Sequence, residues 1–190
     1  MPATPDIFRA KGYGQVALWV DLANSEEWDG FGKLTDHLTN TLWLGAFLKH
    51  WNLPPIPRRS LPVKELKRLR TLLRGAAERF ATGRTFSRAD LAKLNRALNV
   101  PARQRFVENQ NGFRAELFPL KRDGNWVIAR IAASLGEMLA NGAVKRIKTC
   151  ANSGCRWVFF DPTKARTKRW CNDRTCGNRA RVRRARAARH

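Results

Sequence analysis

Four cysteines in two pairs of equal spacing constrain this chain more than any other feature. The first pair reads Cys150-Ala-Asn-Ser-Gly-Cys155 and the second Cys171-Asn-Asp-Arg-Thr-Cys176, with fifteen residues between them, and the 190-residue chain has no other cysteine. Four thiolates bind a metal tetrahedrally, with Zn–S distances of about 2.3 Å, provided each pair doubles back on itself. Asn152, Ser153 and Gly154 supply the turn inside the first pair, and Gly177 follows the second. The pattern predicts one structural Zn2+ per chain, held by Cys150, Cys155, Cys171 and Cys176. Such a shell is closed and leaves no position for zinc catalysis. Two disulfides are the competing reading. They are disfavoured because disulfides persist mainly in secreted chains, and the opening Met-Pro-Ala-Thr-Pro-Asp has neither a charged nor an apolar signal region.

The charge distribution points to the partner. Lysine and arginine number 37 against 15 acidic residues, a net +22. Residues 145–190 hold 15 of the basic and 2 of the acidic residues, so a quarter of the chain carries a net +13. That asymmetry predicts a polyanion, either nucleic acid or an anionic membrane surface. No apolar run approaches the ~18 residues of a membrane span, so no membrane partner is expected and the location expected is the cytoplasm, on the nucleoid. An apolar content of 43%, with seven tryptophans and ten phenylalanines, supports a real core.

The chain then reads in order. No element is assigned to residues 1–14. Residues 16–22 are apolar and branched or aromatic, and read as a short strand or buried segment broken at Asn24-Ser25. Asp21 and Asn24 there are turn or cap groups. On a sharper reading they are effector-binding groups at the end of a buried segment. Residues 35–51 read as a helix with Leu38, Leu42, Trp43, Phe47 and Trp51 inward, and with His37 and His50 in surface or cap roles. Residues 61–80 form the clearest amphipathic helix. Its apolar stripe is Val63, Leu66, Leu69, Leu73, Ala76 and Phe80; Lys64, Lys67, Arg68, Arg70 and Arg74 make its solvated side. Ser87 and Asp90 cap the next helix, with Leu91, Leu94 and Leu98 inward. Asn111-Gly112 between residues 103–108 and 113–118 is a strong hairpin signal. Asn125 is expected to cap a long apolar helix ending at Asn141-Gly142, with no flexible linker before the cysteines.

The finger region carries a specific set of motifs. After the first cysteine pair comes Arg156-Trp157-Val158-Phe159-Phe160-Asp161, then a basic stretch from Lys164 to Arg169, Trp170-Cys171, and Cys176-Gly177-Asn178-Arg179 with an arginine-rich tail. With these motifs residues 145–190 resemble the CGNR zinc-finger family. Leu18-Trp19-Val20-Asp21-Leu22-Ala23-Asn24 is similar to the opening of the ABATE domain that usually precedes that finger. The resemblance implies a bacterial, stress-induced transcription regulator, with an ABATE-like sensor domain over residues 1–144 and the finger over residues 145–190.

Within the finger, residues 147–149 and 157–160 are expected to pair as a hairpin with the first cysteines at its tip. Metal binding would supply the folding free energy of a module too small to have its own core, while residues 1–144 are expected to fold independently. Trp157 and Trp170 are placed over the metal. Gly177 is expected in a left-handed turn, with Asn178 capping a helix from Arg179. On it Arg179, Arg183, Arg186 and His190 share one face, Arg181 and Arg184 widen that face, and Val182, Ala185 and Ala188 are left for packing. Lys164, Arg166, Lys168 and Arg169 offer a second clamp on the backbone of a nucleic acid.

The expected fold class is α+β: a mostly helical N-terminal domain with a small β-hairpin, then a four-cysteine zinc finger made of a hairpin and a basic helix. The leading function is DNA-binding transcription regulation, with an effector- or partner-sensing N-terminal domain. RNA or ribosome association suits a basic zinc ribbon nearly as well. An enzyme with a site near Asp21 and Asn24 ranks last, since no Ser/His/Asp set, phosphate-binding glycine loop or open metal site is visible; no catalysis is expected. A homodimer stays open, although no heptad seam is present to build one.

Overall fold

The computed structural model describes residues 13–14, 16–110 and 112–188. The rest of the 1–14 stretch, Asn111 of the hairpin turn and His190 of the arginine face lie outside the described residues. Leu18–Asn24 forms helix α1, and every residue in it is buried. A short strand or buried segment was the sequence expectation for residues 16–22; the segment is buried, and it is helical. A segment that is apolar on all sides carries no period, so a run this short does not distinguish strand from helix. Helix α1 is the centre of the molecule. It packs on α3 (Val63–Ala81), on α5 (Gly124–Ala140) and on strand β6 (Val158–Phe160).

After α1, strands β1 (Glu26–Trp28) and β2 (Leu34–Asp36) pair antiparallel, with Glu26 opposite Asp36 and Trp28 opposite Leu34. Strand β2 takes the first residues of the predicted 35–51 helix. Asp36 caps a single 3-10 turn, and Asn40 caps α2 (Thr41–His50) by accepting from the N–H groups of Leu42 and Trp43. Two successive caps thus delay the helix to residue 41. Its buried side is Trp43, Leu44, Phe47 and Leu48, while Leu42 faces solvent. His37 is not at the surface: it is buried, with Nε2 2.6 Å from the Glu27 carboxylate.

Helix α3 buries its stripe of Leu66, Leu69, Leu73, Ala76 and Phe80 as the period requires. Arg70 and Arg74, expected on the wet side, are buried as well. Each is paired, which is what burial of a charge demands. Arg70 donates to the Asp36 carboxylate at 2.6 Å and to Ser25 Oγ at 3.3 Å. Arg74 donates to the carbonyls of Ala23 at 2.7 Å and Glu26 at 3.3 Å, capping the end of α1. Burial alone would raise the Asp36 carboxyl; the bonds from Arg70 and Lys67 prevail and hold it down at about 2.

Helix α4 (Arg88–Leu98) starts as expected at Ser87, whose Oγ accepts the Asp90 N–H at 3.0 Å. Leu94 is its buried leucine; Leu91 and Leu98 stay exposed because α4 lies along α5 with its flank open. Strands β3 (Ala102–Asn109) and β4 (Gly112–Pro119) form the expected hairpin, with Asn109 opposite Gly112. Asp123, not Asn125, caps α5: its carboxylate accepts the N–H groups of Asn125 and Trp126. Strand β5 (Ile147–Thr149) pairs antiparallel with β6, Ile147 facing Phe160. Ile147 and Val158 belong to the same buried cluster as α1, α3 and α5. The hydrophobic core therefore runs across residue 145, where a core closed within residues 1–144 was expected.

Candidate metal centre and nucleic-acid face

The tip of the β5–β6 hairpin carries the first cysteine pair. The Cys150 N–H donates to the Trp157 carbonyl and the Cys155 N–H to the Asn152 carbonyl, both at 2.8 Å, which folds the knuckle back on itself. The second pair sits on a single π-helical turn, Asp173–Gly177, capped by Asn172, whose Oδ1 accepts the Thr175 N–H at 3.1 Å. All four sulfurs lie within 4.8 Å of one another. Cys155 to Cys171 is 3.7 Å and Cys171 to Cys176 is 3.9 Å. A tetrahedron with arms of about 2.3 Å has edges of about 3.8 Å, so the donor set fits one tetrahedral metal. Disulfide sulfurs stand about 2.05 Å apart, and these four cysteines are free thiols.

The thiols of the quartet pull one another in opposite directions. Donation from Cys155 and Cys171 pulls the Cys150 thiol well down. Cys171 is pushed well up, because it donates to Cys150 and Cys155 and is also buried. One thiolate forms easily and the next meets its charge; a bound divalent cation would remove that repulsion.

Gly177 is not in a left-handed turn. Its φ is −63°, and a Cβ there would stand 2.5 Å from Asp173 Oδ1, the end of an exposed side chain that would have to turn aside. Asn178 is already helical in α6 (Asn178–Ala187), and Asn172 takes the capping role expected of it. Trp157 and Trp170 pack against the cysteines. Buried Asp161 shapes the basic insert: it accepts from the Thr163 N–H at 2.9 Å, the Thr163 hydroxyl at 2.6 Å and the Lys168 N–H at 2.9 Å. Lys164, Arg166 and Arg169 are exposed there, and Lys168 lies half-buried over the Phe159 ring.

On α6, Arg181, Arg183, Arg184 and Arg186 are exposed and Arg179 is half-buried. Val182, Ala185 and Ala188 are exposed rather than packed. Arg181 pairs with Asp173 at 3.3 Å. Arg183 donates to Asn152 Oδ1 at 2.7 Å. Arg179 donates to the Asp29 carbonyl at 3.1 Å and stands 4.3 Å from the centre of the Phe31 ring. The side chains of Arg184 and Arg186 have no hydrogen-bond or ion-pair partner among the described residues.

The finger is tied to the rest of the chain by polar contacts that sequence reasoning missed. The Asn24 amide donates to the Val158 carbonyl at 2.9 Å and accepts the Val158 N–H at 2.8 Å, acting as a short strand partner for β6. Arg74 reaches the Arg156 carbonyl at 3.1 Å, and Arg156 pairs with Glu78 at 2.9 Å. In the loop between β1 and β2, the Gly30 N–H donates to the Gly154 carbonyl at 2.9 Å. Buried Asn152 links three parts, donating to the Gly30 carbonyl at 3.2 Å and to Cys176 Sγ at 3.6 Å while accepting from Arg183. Asn152 carried only a turn signal, because its partners lie more than a hundred positions away or across the metal site.

Asp21 is buried too, and accepts the Gly14 N–H at 2.7 Å and Trp51 Nε1–H at 2.8 Å. Burial pushes its carboxyl up to about 7, against the pull of those two bonds. Neither Asp21 nor Asn24 lines the two described clefts. One, of about 1230 Å³, lies between α3, α4 and α5, with Leu69, Leu72 and Trp126 beside Arg68, Arg96 and Lys121. The other, of about 410 Å³, lies between the β1–β2 loop and α6.

A mostly helical domain closed onto a four-cysteine finger with a basic helix defines the class. The family model described as CGNR zinc finger matches residues 146–189, and ABATE, described as "Putative stress-induced transcription regulator", matches residues 16–142. The chain belongs to the ABATE family and carries a CGNR zinc finger after that domain, the order the resemblance implied. No curated protein matches it. Among the described residues no helix is long and apolar enough to cross a membrane.

Proposed function

We propose that this chain regulates transcription by binding DNA through α6 and the basic insert, with one structural zinc ion in the four-cysteine site. The observation that carries the reading is α6 itself. Arg181, Arg183, Arg184 and Arg186 are exposed on one short helix beside the metal cluster, with Arg179 at its base. Arginine forks suit phosphates and guanine edges alike. The family's description as a transcription regulator supports the same reading. A shell of four cysteines leaves a bound metal no open position, which argues against zinc catalysis and supports a binding role. The groove between α3, α4 and α5 offers the N-terminal region a place to sense an effector, with apolar Leu69, Leu72 and Trp126 among charged groups of both signs, Arg96 and Asp90 included.

Binding to random duplex DNA and to single-stranded RNA, measured across a salt series, tests this. Duplex DNA is expected to bind more tightly. Arg184→Ala and Arg186→Ala should each flatten the slope of log K against log salt by about 0.9. Metal analysis should give one zinc per chain, lost in Cys171→Ser. Tighter binding to RNA, or slopes unmoved by both arginine variants, removes the DNA reading.

A further inference from the structure

The cleft of about 410 Å³ between the β1–β2 loop and α6 joins residues from the two family segments. On the α6 side it is lined by Arg179, Arg183 and Arg186, and on the loop side by Phe31, with no acidic residue in its lining. The loop's own carboxylate, Asp29, is exposed but outside that lining, and its Oδ1 accepts the Phe31 N–H at 2.8 Å and the Lys33 N–H at 3.2 Å. The loop is held in place. Gly30 has φ +92°, and a Cβ on it would stand 1.9 Å from Arg179 Nη1, so the backbone lies directly against the guanidinium. Asn152 and Gly154 hold the same glycine from the finger side.

Phe31 is thus a large apolar side chain, 79% exposed, on a fixed loop beside a row of arginines. Solvent exposure of such a ring has no benefit for folding. One face meets the Arg179 guanidinium, a cation–π contact that stiffens both groups. We propose that the β1–β2 loop is part of the nucleic-acid interface, and that this cleft seats one nucleotide of bound duplex DNA. Arg183 and Arg186 take the phosphate, and the Phe31 ring enters the groove beside α6 against sugar and base edges. Positive charge with no acidic lining selects a phosphate-bearing ligand, and an apolar ring beside it selects one with a sugar and base attached. The ABATE segment would then contribute to DNA contact directly as well as to regulation.

This inference rests on the DNA reading above, and its test separates the two. Parent, Phe31→Ala, Phe31→Tyr and Arg186→Ala proteins are titrated with a random duplex at several salt concentrations. Burial of a phenylalanine is worth roughly 1.5–3 kcal/mol, so Phe31→Ala should weaken binding about tenfold or more at every salt, with an unchanged slope. Phe31→Tyr should restore most of the affinity. Arg186→Ala should flatten the slope by about 0.9. Zinc content and thermal unfolding should match the parent in Phe31→Ala, because the ring is exposed. If the parent binds and Phe31→Ala binds equally well, the loop lies outside the interface and this inference falls alone. A loss that also flattens the slope would mean the ring only holds Arg179, and overturns it too. If the parent binds no duplex at all, the DNA reading fails and takes the inference with it.

Discussion

Two hairpins in this chain behave in opposite ways. The β3–β4 hairpin has eight paired residues per strand, and Phe106, Phe113 and Leu117 on one of its faces are exposed. The β5–β6 hairpin has three paired residues per strand, yet Ile147 and Val158 are inside the main core and Asn24 and Arg74 bond to its backbone. Ladder length does not measure structural weight. What decides it is how much buried surface and how many buried polar groups an element brings to the core. The short hairpin makes the finger and the helical domain one packed unit, with the metal site at its outer end.

The sharpest way to break this comparison is to cut the chain. A chain ending at residue 144 loses Ile147 and Val158 and leaves Asn24 and Arg74 without their partners across the seam. Each lost core aliphatic costs about 2–5 kcal/mol, and each unpaired buried polar group about 1–3. Together these approach the whole stability of a typical domain, about 5–15 kcal/mol. Thermal melts followed by circular dichroism should show no cooperative transition for that chain. A chain ending at residue 162 keeps the hairpin and should unfold cooperatively. Cooperative melting of the shorter chain would show that residues 1–144 close a core of their own.

A single substitution at the seam sharpens the comparison. Asn24→Ala removes two hydrogen bonds and leaves the N–H and C=O of buried Val158 unsatisfied. The expected loss is about 2–4 kcal/mol, read from urea unfolding. The metal site lies beyond the seam, so zinc content should stay at the parent level. A loss below about 0.5 kcal/mol would mean that water replaces the amide and the seam is loose.

Some of this was legible in the sequence. Two cysteine pairs of equal spacing must converge if a metal binds, so local spacing carried the site. Helix α3 was legible because one of its faces is wet and its period shows. Helix α1 was not, because it is buried on every side. Arg70 and Arg74 could not be placed from a helical wheel, since an arginine normally faces water and their partners come from 34 to 82 positions away. The same distance hid Asn24 and Asn152. A short polar residue after an apolar run looks like a cap whether it bonds to its own helix or to a strand 134 residues on.

Asp21, beside the seam on α1, gives a smaller effect with a clear sign. Its folded-state pKa of about 7 stands above the ordinary 3.8. The folded state therefore holds the proton more tightly. The stability this brings is fully present below about pH 4 and is lost as the pH rises through about 7. Three pKa units set an upper bound of about 4 kcal/mol. Asp21→Asn keeps an acceptor for Trp51 and Gly14 without the charge. It should be more stable than the parent at pH 8, and the difference should vanish toward pH 4. Equal stability at both pH values would mean that the carboxylate is well solvated in the folded state.

The smallest effect is expected at the long hairpin. Phe106, 76% exposed, faces Ala115 across the ladder, and Phe113, 77% exposed, faces Glu108. Rings this exposed lose mainly their cross-strand pairs, and such pairs contribute about 0.2–1 kcal/mol each. The double variant Phe106→Ser, Phe113→Ser should therefore shift the urea midpoint by less than any change at the seam. The melting temperature of the parent should also be independent of protein concentration. A loss comparable to that of Asn24→Ala would mean the aromatic face is covered in solution. A parent melting temperature that rises with concentration would identify the cover as a second copy, because binding stabilises the folded state by mass action. In that case the contrast between the two hairpins would hold for the isolated chain only, and the long hairpin would have its structural weight between chains.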